Sequence, residues 1–117
     1  MVDEALSRMS LTEVSEALVK REVSSQEVVR NSLEELEKRG PSLNCVARLF
    51  PEQALAEAES ADKELSSGIS PGPLHGVPLL HKDMFYRTGK ISACGSKICE
   101  DYVPDATATV LLKLDQA

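Results

Sequence analysis

In the first forty residues, apolar positions recur with the period of an α-helix. Two stretches each place their apolar residues on one face: Leu11, Val14 and Leu18 in the first, and Val29, Leu33 and Leu36 in the second. Each stretch opens on Ser-x-x-Glu, at residues 10–13 and 24–27, which is the sequence signature of a helical capping box. The pattern predicts two short amphipathic helices, the second of them stopped by Gly40 and Pro41.

The pattern in the middle of the chain predicts a short β-prone run, a further helix and a strand. Residues 44–50, NCVARLF, are β-prone, and Pro51 stands where a helix can begin. A narrow stripe of small residues then repeats at helical spacing: Ala54, Ala58, Ala61 and Leu65. After the loop-like segment SSGISPGP at 66–73, residues 77–82, VPLLHK, predict a strand, which Pro78 restricts to a sheet edge or to the first residues of a strand.

A last helical face lies close to the C-terminus of the chain. Its apolar positions are Val110, Leu111 and Leu114, and the pattern predicts a helix from Thr107 onward, capped by Asp105 or Thr107. Neither glycine nor proline follows this pattern, so we expect residue 117 not to be a domain boundary.

Composition and charge narrow the class of protein. The chain has 117 residues, of which 42% are hydrophobic and 27% charged, an ordinary globular balance. Residues 1–70 hold 8 lysines and arginines against 14 aspartates and glutamates, whereas residues 71–117 hold 5 of each kind, so the net charge of −6 lies entirely in the first part. Because nucleic-acid affinity depends on basic residues that neutralise phosphates, this acidic balance argues against direct nucleic-acid binding.

The chain also lacks the signals of export. Acidic residues follow Met1 where a secretory signal would be basic, and no stretch approaches the ~18 apolar residues of a membrane span. Three cysteines, Cys45, Cys94 and Cys99, have no paired spacing, which favours free thiols in a reducing compartment. We therefore predict a cytoplasmic chain that does not contact membranes.

One lysine stands out for its surroundings. Within GPLHGVPLLHKDMFYRTG, residues 72–89, Lys82 follows an apolar run. An ammonium that is removed from water must be paired or must give up its proton, and a neutral amine is a general base. Asp83 would lie on the opposite face of a strand, so we expect it to cap or orient the following turn instead of pairing with Lys82.

The order of these motifs resembles the N-terminal part of the amidase signature family. The resemblance rests on LHGVPLLHKD, then ACGSK, then DATATVLLKL, and it is strongest from Pro73 to Leu114. It implies an α/β fold with a mixed central sheet between helical layers, to which this chain would contribute mostly helices and a few strands. Residues 1–117 would be the N-terminal part of a single amidase domain, with an acidic helical region at 1–70 and a lysine-bearing strand, loop and helix at 71–117.

The resemblance also implies an activity. Members of that family hydrolyse amides with a Ser-cisSer-Lys triad through an acyl-enzyme intermediate, without metal or organic cofactor, and Lys82 matches the triad lysine. The Gly-Gly-Ser-Ser-Gly type motif that supplies both serines is absent from these 117 residues, and neither Ser92 nor Ser96 lies in such a cluster. The implied reaction converts a small carboxamide to a carboxylate and ammonia, with only the lysine supplied here.

Other interpretations stay open at this stage. Lys82 is alternatively the solvated end of an edge strand, and Met84, Phe85 and Tyr86 line a pocket or form a hydrophobic plug. A metal set of two histidines and two cysteines is disfavoured, because the spacing of His75, His81, Cys94 and Cys99 matches no common zinc pattern. The chain is equally compatible with the A subunit of a tRNA-dependent amidotransferase, or with an inert chain that self-associates or binds the remainder of its domain.

Overall fold

The computed structural model describes residues 2–69 and 72–117. Its helices are α1 (Glu4–Ser7), α2 (Leu11–Lys20), α3 (Ser25–Leu43), α4 (Pro51–Ser66) and α5 (Thr109–Asp115), with one 3-10 turn at Lys97–Cys99. The predominantly helical character predicted from the sequence is confirmed. None of the described helices has both the length and the apolar character needed to cross a membrane.

Helices α2 and α3 begin where the capping boxes predicted. The Ser10 hydroxyl accepts from the backbone N–H of Glu13, whose carboxylate accepts from the backbone N–H of Ser10 at 2.7 Å. Ser24 and Glu27 repeat this exchange at the start of α3, with the Ser24 N–H 2.8 Å from the Glu27 carboxylate. Each box satisfies backbone groups that the first helical turn leaves without intrahelical partners.

Helix α3 continues past the predicted stop at Gly40 and Pro41, so that prediction is wrong. The helix ends two residues later, at Leu43, and Asn44 follows in the left-handed conformation with φ of 50°. Gly40 lies inside the helix, where an added Cβ would lie 3.0 Å from Cγ2 of Val46. Because Gly40 has no side chain, Val46 can pack closely against the helix at this point. The glycine does not terminate the helix.

The strand predicted at 77–82 does not form, and the β-prone run at 44–50 is not a strand either, since both segments are irregular or turn-like in the described part of the chain. A β-strand is stable only when a neighbouring strand pairs with its backbone N–H and C=O groups, and residues 2–69 and 72–117 contain no strand at all. The β-prone residues thus lack a pairing partner, and the predicted sheet is not formed by these residues.

The described residues divide into two compact units, one ending at Pro78 and the other comprising Leu79–Ala117. In the first unit, α3 packs against α1 and α4. Val14, Leu18 and Val28 form its core, and partly buried apolar residues such as Leu65 and Val77 pack against them. Ala58 and Ala61 of the predicted small-residue stripe are buried as well.

Polar contacts hold the segment after α4 against the helices of the first unit. The Ser25 hydroxyl donates to the Gly76 carbonyl at 2.6 Å, and the Ser25 N–H donates to the Asp62 carboxylate at 2.6 Å. Ser15 donates to the Pro73 carbonyl at 2.5 Å. Because Ser25 is only 1% exposed, its hydroxyl bond to Gly76 is shielded from competing water.

The second unit has α5 as its one α-helix and Leu111 as its buried aliphatic residue among those described. The predicted cap is wrong: the helix begins at Thr109 after Ala108, and no side chain caps it. The Thr107 hydroxyl is used elsewhere, because it accepts from the Thr88 N–H at 3.0 Å. A bidentate ion pair of Arg87 with Asp115, at 2.9 and 3.1 Å, joins the loop to the end of α5.

Candidate functional site

Lys82 lies at the surface of the second unit. Its carbonyl accepts from the Phe85 N–H at 3.0 Å, which closes a turn immediately after the lysine, and lies 3.1 Å from Nδ1 of His81. The Lys82 ammonium makes neither a hydrogen bond nor an ion pair with any residue in the described parts of the chain. The structure thus places the lysine on an exposed turn and not at the end of the strand predicted at 77–82.

Asp83 fastens this turn to a later part of the loop. Its carboxylate oxygen Oδ2 accepts from the Ala93 N–H at 3.2 Å, and its carbonyl accepts from the Ser92 hydroxyl. Ser92 is 2% exposed, and its own N–H donates to the Tyr102 carbonyl at 2.9 Å. These contacts connect Asp83 to residues 92 and 93, and its orientation of the following turn stays a prediction.

The serines near Lys82 in sequence have structural hydrogen bonds. The Ser92 hydroxyl donates to Asp83, whereas the Ser96 hydroxyl accepts from the Ile98 N–H at 3.3 Å and caps the 3-10 turn. Neither hydroxyl bonds to Lys82 among the described residues. Sequence reasoning missed the contact between Ser92 and Asp83, because the two residues are nine positions apart in irregular chain and no helical or strand period signals the pairing.

The histidines and cysteines do not form a metal-ligating cluster among the described residues. His75 belongs to the first unit, where its Nε2 lies 3.4 Å from the Glu64 carboxylate. The cysteines are free, and among residues 2–69 and 72–117 no group of three or more metal-ligating side chains could hold a metal ion.

The aromatic residues after Lys82 are exposed, but one of them belongs to a defined contact. The rings of Tyr86 and Tyr102 lie 5.4 Å apart at 58°, a tilted arrangement that aromatic pairs favour. The Tyr86 carbonyl also accepts from the Ala108 N–H at 2.8 Å, just before α5. Met84 and Phe85 are 52% and 38% exposed, so they do not form the hydrophobic plug that was one of the two expectations.

Chemically, this arrangement offers one accessible amine, that of Lys82, on a turn held by hydrogen bonds. An amine can accept a proton or pair with an anion, but hydrolysis of an amide by covalent catalysis also needs a nucleophile and donors for the oxyanion. The described residues bring no hydroxyl or thiol into hydrogen-bond contact with the Lys82 amine. Among the described residues, the arrangement therefore provides an exposed amine without a nucleophile beside it.

Comparisons with known proteins show which family the chain resembles. Residues 27–117 match the family model described as Amidase. "Putative amidase AmiD" of Mycobacterium bovis is 37% identical to this chain over 115 residues, which are 98% of this chain and 24% of that protein. No solved structure matches the chain.

Proteins named as part of an amidotransferase are similar to the chain to the same degree. The A subunit of the glutamyl-tRNA(Gln) amidotransferase of Bdellovibrio bacteriovorus is 43% identical over 110 residues, and that of Azoarcus sp. is 40% identical over 108 residues. Each match covers 92% of this chain and 22% of the relative. The chain thus spans about a quarter of the length of the curated relatives it matches, at 22–24% of each.

Proposed function

Because this chain belongs to the amidase family, we propose that it forms part of an enzyme that hydrolyses a linear carboxamide to a carboxylate and ammonia. The observation that carries the proposal is the pattern Leu-His-Gly-Val-Pro followed by Lys-Asp at residues 74–83, which lies inside the matched region. In this proposal residues 1–117 are the N-terminal part of a single amidase domain, and the mixed central sheet is completed by strands from the rest of that domain.

The proposed reaction uses Lys82 as the base. Its neutral amine accepts the proton of a bridging serine, which in turn takes the proton of the nucleophilic serine as that oxygen attacks the amide carbon. The C–N bond breaks when the leaving nitrogen receives the proton, which releases ammonia and leaves an acyl-enzyme ester. Water then attacks the ester by the same proton route and releases the carboxylate.

Two parts of this mechanism must come from outside the 117 residues. The Gly-Gly-Ser-Ser-Gly type motif that would provide both serines and the oxyanion donors is not in the sequence. The exposed Lys82 ammonium must also be desolvated before it can act as a base, because water stabilises its protonated form. We propose that the remainder of the amidase domain covers the Lys82 turn and supplies the serine motif at the same time.

A second candidate function is that of the A subunit in a tRNA-dependent amidotransferase. The observation in its favour is that relatives with this name match the chain at 40% and 43% identity, comparable to the amidase relative at 37%. The chemistry at Lys82 is the same, but the ammonia would be passed to a second active site. The excess of acidic residues in the first 70 argues that this region does not itself hold the transfer RNA.

A third candidate, from a different class, is a chain that only binds a partner. It is favoured by the apolar side chains that the second unit leaves exposed, such as Leu80 at 66% and Ile98 at 96%. Whether the reading frame continues beyond Ala117 into a glycine- and serine-rich motif separates this candidate from the amidase. A continuous frame with that motif supports the enzyme, and a stop codon supports the binding chain.

Ammonia release from small aliphatic and aromatic amides tests the proposed function. In the complete amidase, Lys82→Ala should lower kcat by about 10³-fold or more, since loss of one triad member removes most of the covalent acceleration. Lys82→Arg should be equally inactive, because a guanidinium keeps the positive charge but does not release its proton. Lys97→Ala, at an exposed lysine on the 3-10 turn, is the matched control and should retain activity. Full activity of Lys82→Ala would contradict the assignment.

A further inference from the structure

We infer that Asp83 is a positioning residue for Lys82, an inference that rests on the proposed function of the lysine. The carboxylate of Asp83 is held by the Ala93 N–H, and its carbonyl by the Ser92 hydroxyl. Both contacts involve the residue directly after Lys82, so they restrain the backbone from which the lysine side chain extends. We call the three residues Asp83, Ser92 and Ala93 the latch.

The latch is anchored to buried structure and not only to itself. Ser92 is 2% exposed, and its N–H donates to the Tyr102 carbonyl, which ties the latch to the segment before α5. A buried hydroxyl keeps its hydrogen bond because leaving the group unpaired away from water is costly. The latch thus connects the turn at Lys82 to a shielded part of the second unit.

The turn on the other side of the lysine carbonyl completes the restraint. The Phe85 N–H donates to the Lys82 carbonyl at 3.0 Å, so the peptide groups on both sides of Asp83 are engaged. The lysine side chain has four rotatable carbons, and a base must lie within hydrogen-bond distance of the proton that it accepts. When the backbone of Lys82 is fixed, only its side chain must become ordered as the serines approach.

Two kinds of role for Asp83 make different predictions. If its charge matters, for example by pairing with a cationic group, the neutral Asp83→Asn should be as impaired as Asp83→Ala. If the latch matters, Asp83→Asn should recover most of the activity, because the amide oxygen can still accept from the Ala93 N–H. Asp83→Asn is therefore the rescuing variant, and Asp83→Ala is the one that opens the latch.

The first arm of the test does not depend on catalysis. In the 117-residue chain, hydrogen exchange of the Ala93 N–H should accelerate about tenfold in Asp83→Ala, the effect of losing one ordinary hydrogen bond, and much less in Asp83→Asn. The Ser92 and Gly89 N–H groups, which donate to the Tyr102 and Pro104 carbonyls, report whether the unit stays folded. Unchanged exchange at Ala93 in a folded Asp83→Ala chain would overturn the inference.

The second arm measures kinetics in the complete amidase. Asp83→Ala should lower kcat by about 100-fold with KM nearly unchanged, because a displaced base weakens the chemical step more than substrate binding. Ser92→Ala, which removes the other half of the latch, should lower kcat in the same way and remains informative if Asp83→Ala does not fold. Ser96→Ala is the matched control, since its hydroxyl bonds only within its own turn among the described contacts.

The outcomes separate this inference from the function on which it rests. Loss of activity in Lys82→Ala together with normal kcat in Asp83→Ala and Ser92→Ala overturns the latch alone. An Asp83→Asn variant as inactive as Asp83→Ala also overturns the latch, in favour of a charge role. Full activity in Lys82→Ala overturns both, because a latch has no function when the lysine has none.

Discussion

At the scale of single residues, sequence motifs make Lys82 the candidate base but do not determine its environment. The pattern LHGVPLLHKD is local and can be recognised without coordinates, whereas exposure depends on which other segments cover the lysine. The structure leaves Lys82 exposed, so the desolvation that the sequence suggested is not provided by the described residues. The Ser92 and Asp83 contact was unpredictable for a related reason, because it joins two irregular segments with no repeating pattern.

Gly76 provides a prediction at the same scale. Its φ is +80°, and an added Cβ would lie 3.3 Å from both Cβ and Oγ of the buried Ser25. Gly76→Ala should therefore destabilise the chain by about 1–2 kcal/mol from the left-handed backbone alone, and by more because Ser25 must shift. Urea denaturation of the two proteins measures the change in the free energy of unfolding.

Gly68→Ala is the matched control for this experiment. Gly68 has a similar φ of +78°, but nothing lies within 4 Å of the position of its Cβ. The two variants share the backbone cost, so the difference between them isolates the contact with Ser25. Equal destabilisation of the two would show that the close approach at Gly76 adds nothing.

At the scale of elements, features that depend on local sequence were predicted well. The capping boxes of α2 and α3 form as expected, and so does the start of α4 at Pro51. Predictions failed where a residue served a distant contact: Gly40 accommodates Val46, and the Thr107 hydroxyl accepts from Thr88 instead of capping α5. The strand predicted at 77–82 failed because strand formation requires a partner, which a segment's own sequence cannot supply.

The two capping boxes predict a pH dependence. Hydrogen bonds from the backbone and hydroxyl of Ser10 lower the pKa of Glu13 from its ordinary value of 4.5, and those from Ser24 lower the pKa of Glu27 likewise. A carboxyl whose pKa is lower in the folded state stabilises that state fully above 4.5, and the contribution is lost as the pH falls through the lowered value. We therefore expect thermal stability, followed by circular dichroism, to decline below pH 4.5.

Substitution shows whether the caps cause that decline. The double variant Glu13→Gln and Glu27→Gln cannot titrate at these positions, so its stability should change less between about pH 7 and about pH 3. Glu22→Gln is the control, because it removes an exposed carboxylate that caps neither helix. A decline as steep in the double variant as in the Glu22→Gln chain would contradict the role of the caps.

At the scale of the whole molecule, the two units differ in how much apolar surface they bury. The first has a core of Val14, Leu18 and Val28 with buried alanines of α4, whereas the second buries Leu111 and exposes most of its other large apolar residues. Those exposed residues of the second unit are Leu79, Leu80, Met84, Phe85, Tyr86, Ile98, Tyr102, Val103, Val110, Leu112 and Leu114. Such a surface is unusual for a free monomer and is typical of an interaction face.

This difference predicts that the second unit opens more readily than the first in the 117-residue chain. Local stability follows buried apolar contact, so amide hydrogens of α5 should exchange faster than those at the centre of α3. If the rest of an amidase domain covers the Lys82 turn, as proposed, and also covers α5, the same amides should become protected in the complete protein. Equal protection of α5 and α3 in the 117-residue chain would show that the second unit is stable without a covering partner, and would contradict this prediction.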